Sequence, residues 1–210
     1  MSGVFAYVPV FYTSCASVKA TGILVDGNYT LTLSGHSFTV YCNNMAGTPA
    51  EYITPTYTYN SGYGSNNFGL FACGGACSGS DVKTNYNRIR FDPSTMEISL
   101  TDKTFSYQPV ASNTYSGQGI LGRAADCRAM NSAAGQGQLD LRGTPFAIDD
   151  SVIVAVVPND GVNGYYPGGS VNMDASRKYY YVTGGGYCGW CGPMNSNGSA
   201  RYSIKLKFDN

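Results

Sequence analysis

The chain has 210 residues, enough for one well-buried domain, and its 13 basic and 13 acidic residues give a formal net charge of zero. Without a basic stripe or a run of like charge, nucleic acid and anionic membranes are disfavoured as partners. Charged residues make up only 12% of the chain, about half of the ~25% usual in globular proteins, and the abundance of glycine and tyrosine is typical of extracellular proteins and fibre subunits.

The chain begins with an apolar segment, residues 1–12, which we predict to be a β-strand extension of a single domain spanning residues 13–210. A strand here would be apolar on both faces, so it is either an extra strand of its own domain or a strand added to the sheet of a neighbouring copy, which would build fibres. Both alternatives stay open. The candidate assembly residues are Val4, Phe5, Ala6, Tyr7, Val8, Val10 and Phe11. The segment lacks the basic start of a secretory signal, and Pro9 interrupts its apolar run.

Two β-hairpins follow from alternation with period two. In the first, Tyr29, Leu31 and Leu33 share one face, and Phe38, Val40 and Cys42 share a face after the turn at Ser34-Gly35-His36. In the second, Ile89 and Phe91 precede the turn Asp92-Pro93-Ser94-Thr95, and Met96, Ile98 and Leu100 follow it.

Further along, residues 139–141, 152–157, 178–182 and 202–208 are predicted strands, with Asn-Gly, Asp-Gly and Pro-Gly turns between the later ones. Only residues 120–134 have the composition of a short helix. Two stretches, 57–79 and 159–175, are predicted to be long irregular loops. The fold class is therefore all-β: one disulfide-stabilised domain of antiparallel strands and hairpins, with long Gly/Asn/Tyr-rich loops and at most one or two short helices. No apolar run approaches the about 20 residues of a membrane span.

Seven cysteines are candidates for disulfides: Cys15, Cys42, Cys73, Cys77, Cys127, Cys188 and Cys191. Three bonds with one thiol left over is the preferred interpretation, and spacing alone does not give the connectivity. A zinc site formed by Cys73, Cys77, Cys188 and Cys191 is the alternative. A redox dithiol at Cys188 and Cys191 is disfavoured, because the motif is not followed by a helix in a parallel α/β pattern.

Catalytic patterns are missing from the sequence. His36 is the one histidine and falls in a predicted turn, and no Gly-x-Ser-x-Gly motif occurs. Asp149 and Asp150 are adjacent and would point to opposite faces of a strand, so they do not form an acid/base pair. Asp126, Asp140 and Glu97 are not distinguished by their surroundings. We therefore predict no enzymatic activity and no cofactor other than the alternative zinc.

Two features suggest glycans. Asn28 and Asn197 begin Asn-x-Thr and Asn-x-Ser acceptor patterns for N-glycosylation. Tyrosines in the Gly-rich loops, together with Trp190 and nearby asparagines, offer ring faces and amides for sugar binding; the tyrosines are Tyr57, Tyr59, Tyr63, Tyr165 and Tyr166.

An ordered set of short motifs runs through most of the chain. Their residues are Cys15-Ala16-Ser17-Val18, Asp26-Gly27-Asn28-Tyr29-Thr30-Leu31, Val40-Tyr41-Cys42-Asn43-Asn44-Met45, Glu51-Tyr52-Ile53-Thr54, Ile89-Arg90-Phe91-Asp92, Met96-Glu97-Ile98, Asp126-Cys127 and Gly185-Gly186-Tyr187-Cys188-Gly189-Trp190-Cys191. In this order the set resembles the GON domain, the C-terminal module of certain secreted ADAMTS metalloproteases that also occurs in other extracellular proteins. Gly184 stands where members of the family have a cysteine, so the family's disulfide pairing does not transfer directly.

The resemblance implies a non-catalytic, disulfide-bonded, secreted or cell-surface module. We accordingly expect an extracellular structural or interaction module that binds a matrix or cell-surface protein, or other copies of itself. A self-assembling fibre subunit that uses the N-terminal strand is one alternative function, and a carbohydrate-binding module is another.

Overall fold

The computed structural model describes residues 10–56, 73–74, 83–110, 120–126, 136–157, 169–183 and 189–209. Within these ranges the chain forms one short helix, α1 (Cys15–Lys19). Its strands are β1 (Gly27–Leu33), β2 (His36–Asn43), β3 (Ala50–Ile53), β4 (Cys73–Gly74), β5 (Lys83–Tyr86), β6 (Ile89–Asp92), β7 (Glu97–Ser99), β8 (Ser106–Val110), β9 (Ala124–Asp126), β10 (Gln136–Asp140), β11 (Phe146–Ile148), β12 (Ile153–Val157), β13 (Ser170–Met173), β14 (Tyr179–Thr183), β15 (Gly189–Met194) and β16 (Ser203–Phe208). The prediction of an all-β fold with antiparallel hairpins is confirmed.

The two predicted hairpins are both present. β1 pairs with β2 from Gly27↔Cys42 to Leu33↔His36, and β6 pairs with β7 around the predicted Pro-containing turn. At the tip of the first hairpin, Ser34 and Gly35 both have positive φ, of 49° and 83°. Positive φ at both central residues is the mark of a type I′ turn, whose twist matches that of the flanking strands.

Seven strands form the main sheet in the order β1-β2-β3-β6-β7-β16-β11, with every neighbouring pair antiparallel. The sheet curls strongly, since the ring of Phe38 on β2, next to one edge strand, lies 5.0 Å from that of Phe146 on β11, the other edge strand. Phe91 on β6 and Phe208 on β16 complete this aromatic cluster. The concave face therefore holds the apolar core.

Smaller sheets pack beside the main one: β10-β14-β13, β12-β15-β9-β4 and the pair β5-β8. The predicted strands near residues 139–141, 152–157 and 178–182 correspond to β10, β12 and β14. The predicted strand at 202–208 is β16. Because Leu139, Val182 and Tyr180 are buried, the β10-β14-β13 sheet contributes to the same core cluster.

The predicted helix over residues 120–134 is wrong in its described part. Residues 120–123 form a turn, and Ala124–Asp126 is strand β9, paired on one side with β15 and on the other with β4. Residues 127–134 lie outside the described ranges. Alanine favours a helix weakly, and pairing with two neighbouring strands outweighs that preference here.

The predicted irregular loop over residues 159–175 is wrong in part, because this stretch contains strand β13. Cys191, Gly192 and Pro193 lie within strand β15. Pro193 is opposite Val154 of β12. Within the described residues no helix has the length of a membrane span.

Helix α1 starts at an N-cap, Ser14, whose hydroxyl accepts a hydrogen bond from the Ser17 backbone N–H at 3.1 Å, while the Ser17 hydroxyl bonds back to the cap. This reciprocal capping box satisfies backbone donors that a helix of five residues cannot satisfy alone. Cys15 in its first turn forms a disulfide with Cys42 of β2. The helix is thereby held against the start of the main sheet.

Candidate binding site

An open pocket of about 740 Å³ lies where β2 and β3 separate. The two strands pair only from Tyr41↔Tyr52 to Asn43↔Ala50. Beyond that point β2 continues against β1, while Ile53 of β3 pairs with Ile89 of β6. The strands diverge because each keeps its other neighbour. We call this the β2–β3 pocket; its lining residues are Asn28, Ser37, Phe38, Thr39, Ile53, Thr54, Pro55, Thr56, Arg88, Gly143, Thr144, Pro145 and Phe146.

The floor of the pocket belongs to the aromatic core. Phe38 and Phe146 meet edge to face, with ring planes inclined at 73°, and both rings are largely buried. Such a pair adds about 0.5–1.5 kcal/mol beyond the area it buries. The floor is therefore a packed surface that a ligand can lie against, and it leaves no deep apolar slot.

The rim carries hydrogen-bonding groups. Exposed hydroxyls and one amide come from Ser37, Thr39, Thr54, Thr56 and Asn28. Ser37 and Thr39 also present backbone groups to the gap, as the alternation of an antiparallel pair requires. The Thr32 N–H donates to the Tyr12 carbonyl, away from β2, so its cross-strand partner Ser37 points its own backbone groups toward β3.

Arg88 is the charged residue of the pocket lining. Its guanidinium carbon lies 4.0 Å from the ring centre of Tyr41 and 4.9 Å from that of Phe105, and its Nε donates to Thr54 Oγ1 at 3.3 Å. In the part of the chain that the structure describes, Arg88 forms no ion pair with a carboxylate. Two rings hold the guanidinium at the mouth of the pocket, and no carboxylate of the described residues pairs with it.

One wall is the turn between β10 and β11, which is held tightly in place. Thr144 Oγ1 donates to the Leu141 carbonyl at 2.6 Å, and Lys178 Nζ donates to the Thr144 carbonyl at 2.7 Å. Gly143 has φ of 77°, and a Cβ added there would lie 2.7 Å from Thr56 Cβ. Glycine is required at this position both by its backbone conformation and by the close approach of Thr56.

A buried carboxylate links the helix to the sheet next to this site. Glu51 Oε1 accepts a hydrogen bond from the Cys15 backbone N–H at 2.8 Å, and its Oε2 pairs with Arg90 Nη1 at 3.0 Å. Arg90 also donates to the Phe91 carbonyl. Because a buried charge without its partner is strongly destabilising, this network fixes β3 and β6 relative to the Cys15–Cys42 disulfide.

Two of the five remaining cysteines, Cys73 and Cys191, fall within the described residues. Cys191 is fully buried on β15, and its Sγ lies 2.8 Å from the Thr183 carbonyl oxygen. Cys73 lies on β4, separated from β15 by strand β9. Cys77, Cys127 and Cys188 lie outside the described residues. Among the residues that are described, no group of three or more His, Cys, Asp or Glu side chains is placed to hold a metal ion, and the four-cysteine zinc set stays a prediction.

The side chains considered for catalysis interact with other residues of the chain, outside the β2–β3 pocket. His36 stands at the first position of β2, half-buried and stacked on Phe208 at 4.2 Å between ring centres. Asp150 pairs with Lys207 and Arg177, and Asp140 pairs with Arg142. Glu97 accepts a hydrogen bond from Ser203. None of these side chains lines the β2–β3 pocket.

The other predicted sites lie at the surface or outside the described ranges. Asn28 is exposed on β1 at the edge of the pocket. Asn197 is exposed in the turn between β15 and β16, where its Oδ1 accepts hydrogen bonds from the Ser199 N–H and hydroxyl. Val10 and Phe11 are 66% and 64% exposed. The remaining assembly candidates, Val4 to Val8, and the loop tyrosines proposed for sugar binding are outside the described residues.

Sequence reasoning missed the pocket itself. Arg88 immediately precedes the predicted strand Ile89–Phe91, and the surrounding threonines read as ordinary polar positions of strands. A single arginine among Thr, Ser and Asn residues gives no signal until folding brings β2, β3 and the β10–β11 turn together.

The described residues form a disulfide-bonded, all-β domain with an open pocket on its main sheet. The chain belongs to the GON domain family, whose family model matches residues 12–200. This confirms the resemblance seen in the ordered motifs.

Two curated relatives are multidomain proteins. Over 205 residues the chain is 26% identical to human "A disintegrin and metalloproteinase with thrombospondin motifs 20", and over 206 residues it is 24% identical to "A disintegrin and metalloproteinase with thrombospondin motifs gon-1" of Caenorhabditis elegans. Each match covers 89% of this chain but only 10% and 9% of the respective relative. The chain thus spans about a tenth of the length of these relatives. No solved structure matches it.

Proposed function

We propose that this chain is a non-catalytic extracellular interaction module that uses the β2–β3 pocket to bind a matrix or cell-surface partner. The observation that carries the proposal is the pocket itself: an aromatic floor, a rim of hydroxyls and amide, and an arginine that pairs with no carboxylate of the described residues. Pockets of about 300–1,000 Å³ with a few placed polar groups are typical of ligand sites.

Two features support an extracellular location. The Cys15–Cys42 disulfide is of the kind that forms and persists in oxidising compartments. Membership of the GON family adds to this, because the matched relatives carry the same module within larger proteins named as metalloproteinases with thrombospondin motifs. The proteolytic activity in those names is not transferred to this chain, which matches about a tenth of their length.

The proposal divides the chain into a short N-terminal segment and one domain. Residues 13–210 form the GON-like domain, and residues 1–12 are a β-strand extension to it. The contact that supports this division is the hydrogen bond from the Thr32 N–H of β1 to the Tyr12 carbonyl at 2.7 Å. β1 is an edge strand of the main sheet, so the N-terminal segment reaches the domain at an open edge.

A fibre subunit that assembles through the N-terminal strand is the second candidate function. The exposed Val10 and Phe11 beside the edge strand β1 favour it, since an unpaired edge next to apolar side chains is a template for strand addition. Self-association and partner binding use different surfaces, so they are separable by experiment.

The main proposal is tested by a substitution that fills the β2–β3 pocket with a large side chain. Thr39→Trp places a large ring at the exposed rim of the pocket, on β2. Thr30→Trp is the matched control. Thr30 is also exposed and lies opposite Thr39 on the neighbouring strand β1, but it is not part of the pocket lining. We expect saturable binding of the purified chain to cell-deposited matrix or intact cells to be lost in Thr39→Trp and retained in Thr30→Trp.

Thermal melting of both variants checks that neither has unfolded. Equal binding by the two folded variants would overturn the assignment of the pocket as the binding site. Absence of saturable binding by the unmodified chain to both matrix and cells would overturn the proposed function.

A further inference from the structure

We infer that the β2–β3 pocket binds an acidic sugar, a pyranose unit carrying a carboxylate, with Arg88 pairing the anion. This inference rests on the proposed function and narrows its partner to a glycan of the matrix or cell surface. The carbohydrate binding considered from the sequence used the loop tyrosines and Trp190, whereas this inference rests on Arg88 and the described lining of the β2–β3 pocket.

The charge of Arg88 is the first argument. The net formal charge of the chain is zero, and three of its other described arginines form ion pairs: Arg90 pairs with Glu51, Arg142 with Asp140 and Arg177 with Asp150. Arg88 instead lies against Tyr41 and Phe105 and makes one hydrogen bond to a neutral hydroxyl. A planar guanidinium whose remaining donors face a pocket is suited to a carboxylate, which it can bind through two parallel hydrogen bonds.

Preorganisation is the second argument. The two rings and the Thr54 hydroxyl hold the arginine side chain in one position before a ligand arrives. Less side-chain freedom is therefore lost on binding than for an unsupported surface arginine. A cation stacked on aromatic faces also remains partly shielded from water, which strengthens its pairing with an anion.

The rim supplies the rest of a sugar site. Hydroxyls of Ser37, Thr39 and Thr56 and the amide of Asn28 both donate and accept hydrogen bonds, as the hydroxyls of a pyranose require. Open backbone groups of β2 add donors and acceptors on the same side of the gap. Below them, the packed rings of Phe38 and Phe146, only 5% and 1% exposed, close the floor of the pocket.

An extended peptide is the competing occupant, because within the described residues β2 and β3 do not pair with each other beyond Tyr41↔Tyr52. Strand addition gains its specificity from pockets that accept alternate side chains. The rim here is made of short polar side chains, and the floor is closed by packed rings. The lining therefore favours a ligand that is polar around its circumference and flat.

The experiment titrates the isotope-labelled full chain with two oligosaccharides of equal length and linkage, one ending in glucuronic acid and the other in glucose, and follows amide signals and the Arg88 Nε–H signal by NMR. We expect the acidic sugar to bind at least about tenfold more tightly than the neutral one, as one charge-assisted pair implies. The shifted signals should come from the lining of the β2–β3 pocket.

Variants of Arg88 test whether its positive charge causes the preference for the acidic sugar. Arg88→Gln should remove the preference for the acidic sugar, and Arg88→Lys should keep part of it, because lysine retains the charge but not the planar fork. Lys205→Gln is the matched control, because it removes one positive charge from an exposed position of β16. This variant should bind like the unmodified chain. Should Arg88→Gln fail to fold, Thr56→Val removes an exposed rim hydroxyl without touching the arginine and should weaken binding about two- to tenfold.

Three results would overturn the inference: equal affinity for the acidic and neutral sugars, unchanged binding by folded Arg88→Gln, or a short peptide with a free carboxylate displacing the acidic sugar at lower concentration. The proposed function has its own readout. If Thr39→Trp loses matrix or cell binding while Arg88→Gln keeps it, the pocket remains assigned as the binding site of the module, and the inference that it binds an acidic sugar is rejected.

Discussion

Single carboxylates organise three turns of this protein. Asp26 accepts hydrogen bonds from the backbone N–H groups of Met45 and Asn44, at 2.6 and 2.9 Å. Asp92 and Asp149 each accept from the backbone and hydroxyl of the serine two positions later, Ser94 and Ser151. In all three aspartates these bonds favour the ionised form and lower the pKa below its ordinary value. The turns are therefore held by charge as well as by backbone geometry.

Asp26 gives a pH prediction. The Met45 and Asn44 N–H groups lower its pKa in the folded chain relative to about 3.9 in an unfolded one. Its stabilising contribution is therefore complete above that ordinary value and is lost as pH falls through the folded value. We expect Asp26→Asn to be less stable than the unmodified chain at pH 7 and the difference to shrink toward pH 3, measured by chemical denaturation. A difference that stays constant over this range would contradict the role of the charge.

At the scale of elements, the pocket depends on how neighbouring strands diverge and on one turn. β2 and β3 separate because β2 keeps β1 and β3 keeps β6. The β10–β11 turn then closes one side of the gap through Gly143, which meets Thr56. Neither strand alone forms the β2–β3 pocket, because the pocket is the gap between them.

The β10–β11 turn supplies a second prediction. Gly35 and Gly143 have similar φ values, 83° and 77°, but a Cβ at Gly35 has open space around it while one at Gly143 meets Thr56. Gly35→Ala should therefore cost only the backbone strain, about 1–2 kcal/mol, and Gly143→Ala should cost more. Adding Thr56→Gly to Gly143→Ala should recover the excess, as measured by unfolding free energies. Equal losses in the two single variants would show that the turn moves freely away from Thr56.

The whole molecule is an all-β domain whose main sheet curls until Phe38, next to one edge strand, meets Phe146 on the other edge strand. The Cys15–Cys42 disulfide closes a loop of 27 residues, and cross-linking a loop of that size removes chain entropy worth about 3–4 kcal/mol. It joins helix α1 to the β1–β2 hairpin. The N-terminal segment meets this assembly at the edge strand β1.

Self-association through that segment is tested on the whole molecule. A variant lacking residues 1–12 should be monomeric by light scattering if the segment joins neighbouring copies, while the full chain should show larger species as concentration rises. Identical scattering and elution of the two would remove the fibre hypothesis. The Thr39→Trp variant serves as the control, because it alters the pocket and leaves the N-terminus and the edge of β1 unchanged.

The amino-acid sequence by itself determined the all-β class, the β1–β2 and β6–β7 hairpins and the family. These rest on local alternation of apolar residues, on turn residues such as Ser34-Gly35 and on motifs read in order along the chain. Tertiary structure alone decided that Ala124–Asp126 is a strand, that Cys15 pairs with Cys42, and that Arg88 faces a pocket with Thr54 and Thr56. Those features depend on contacts between residues far apart in the chain, and a local pattern carries no information about which distant strand will become a neighbour.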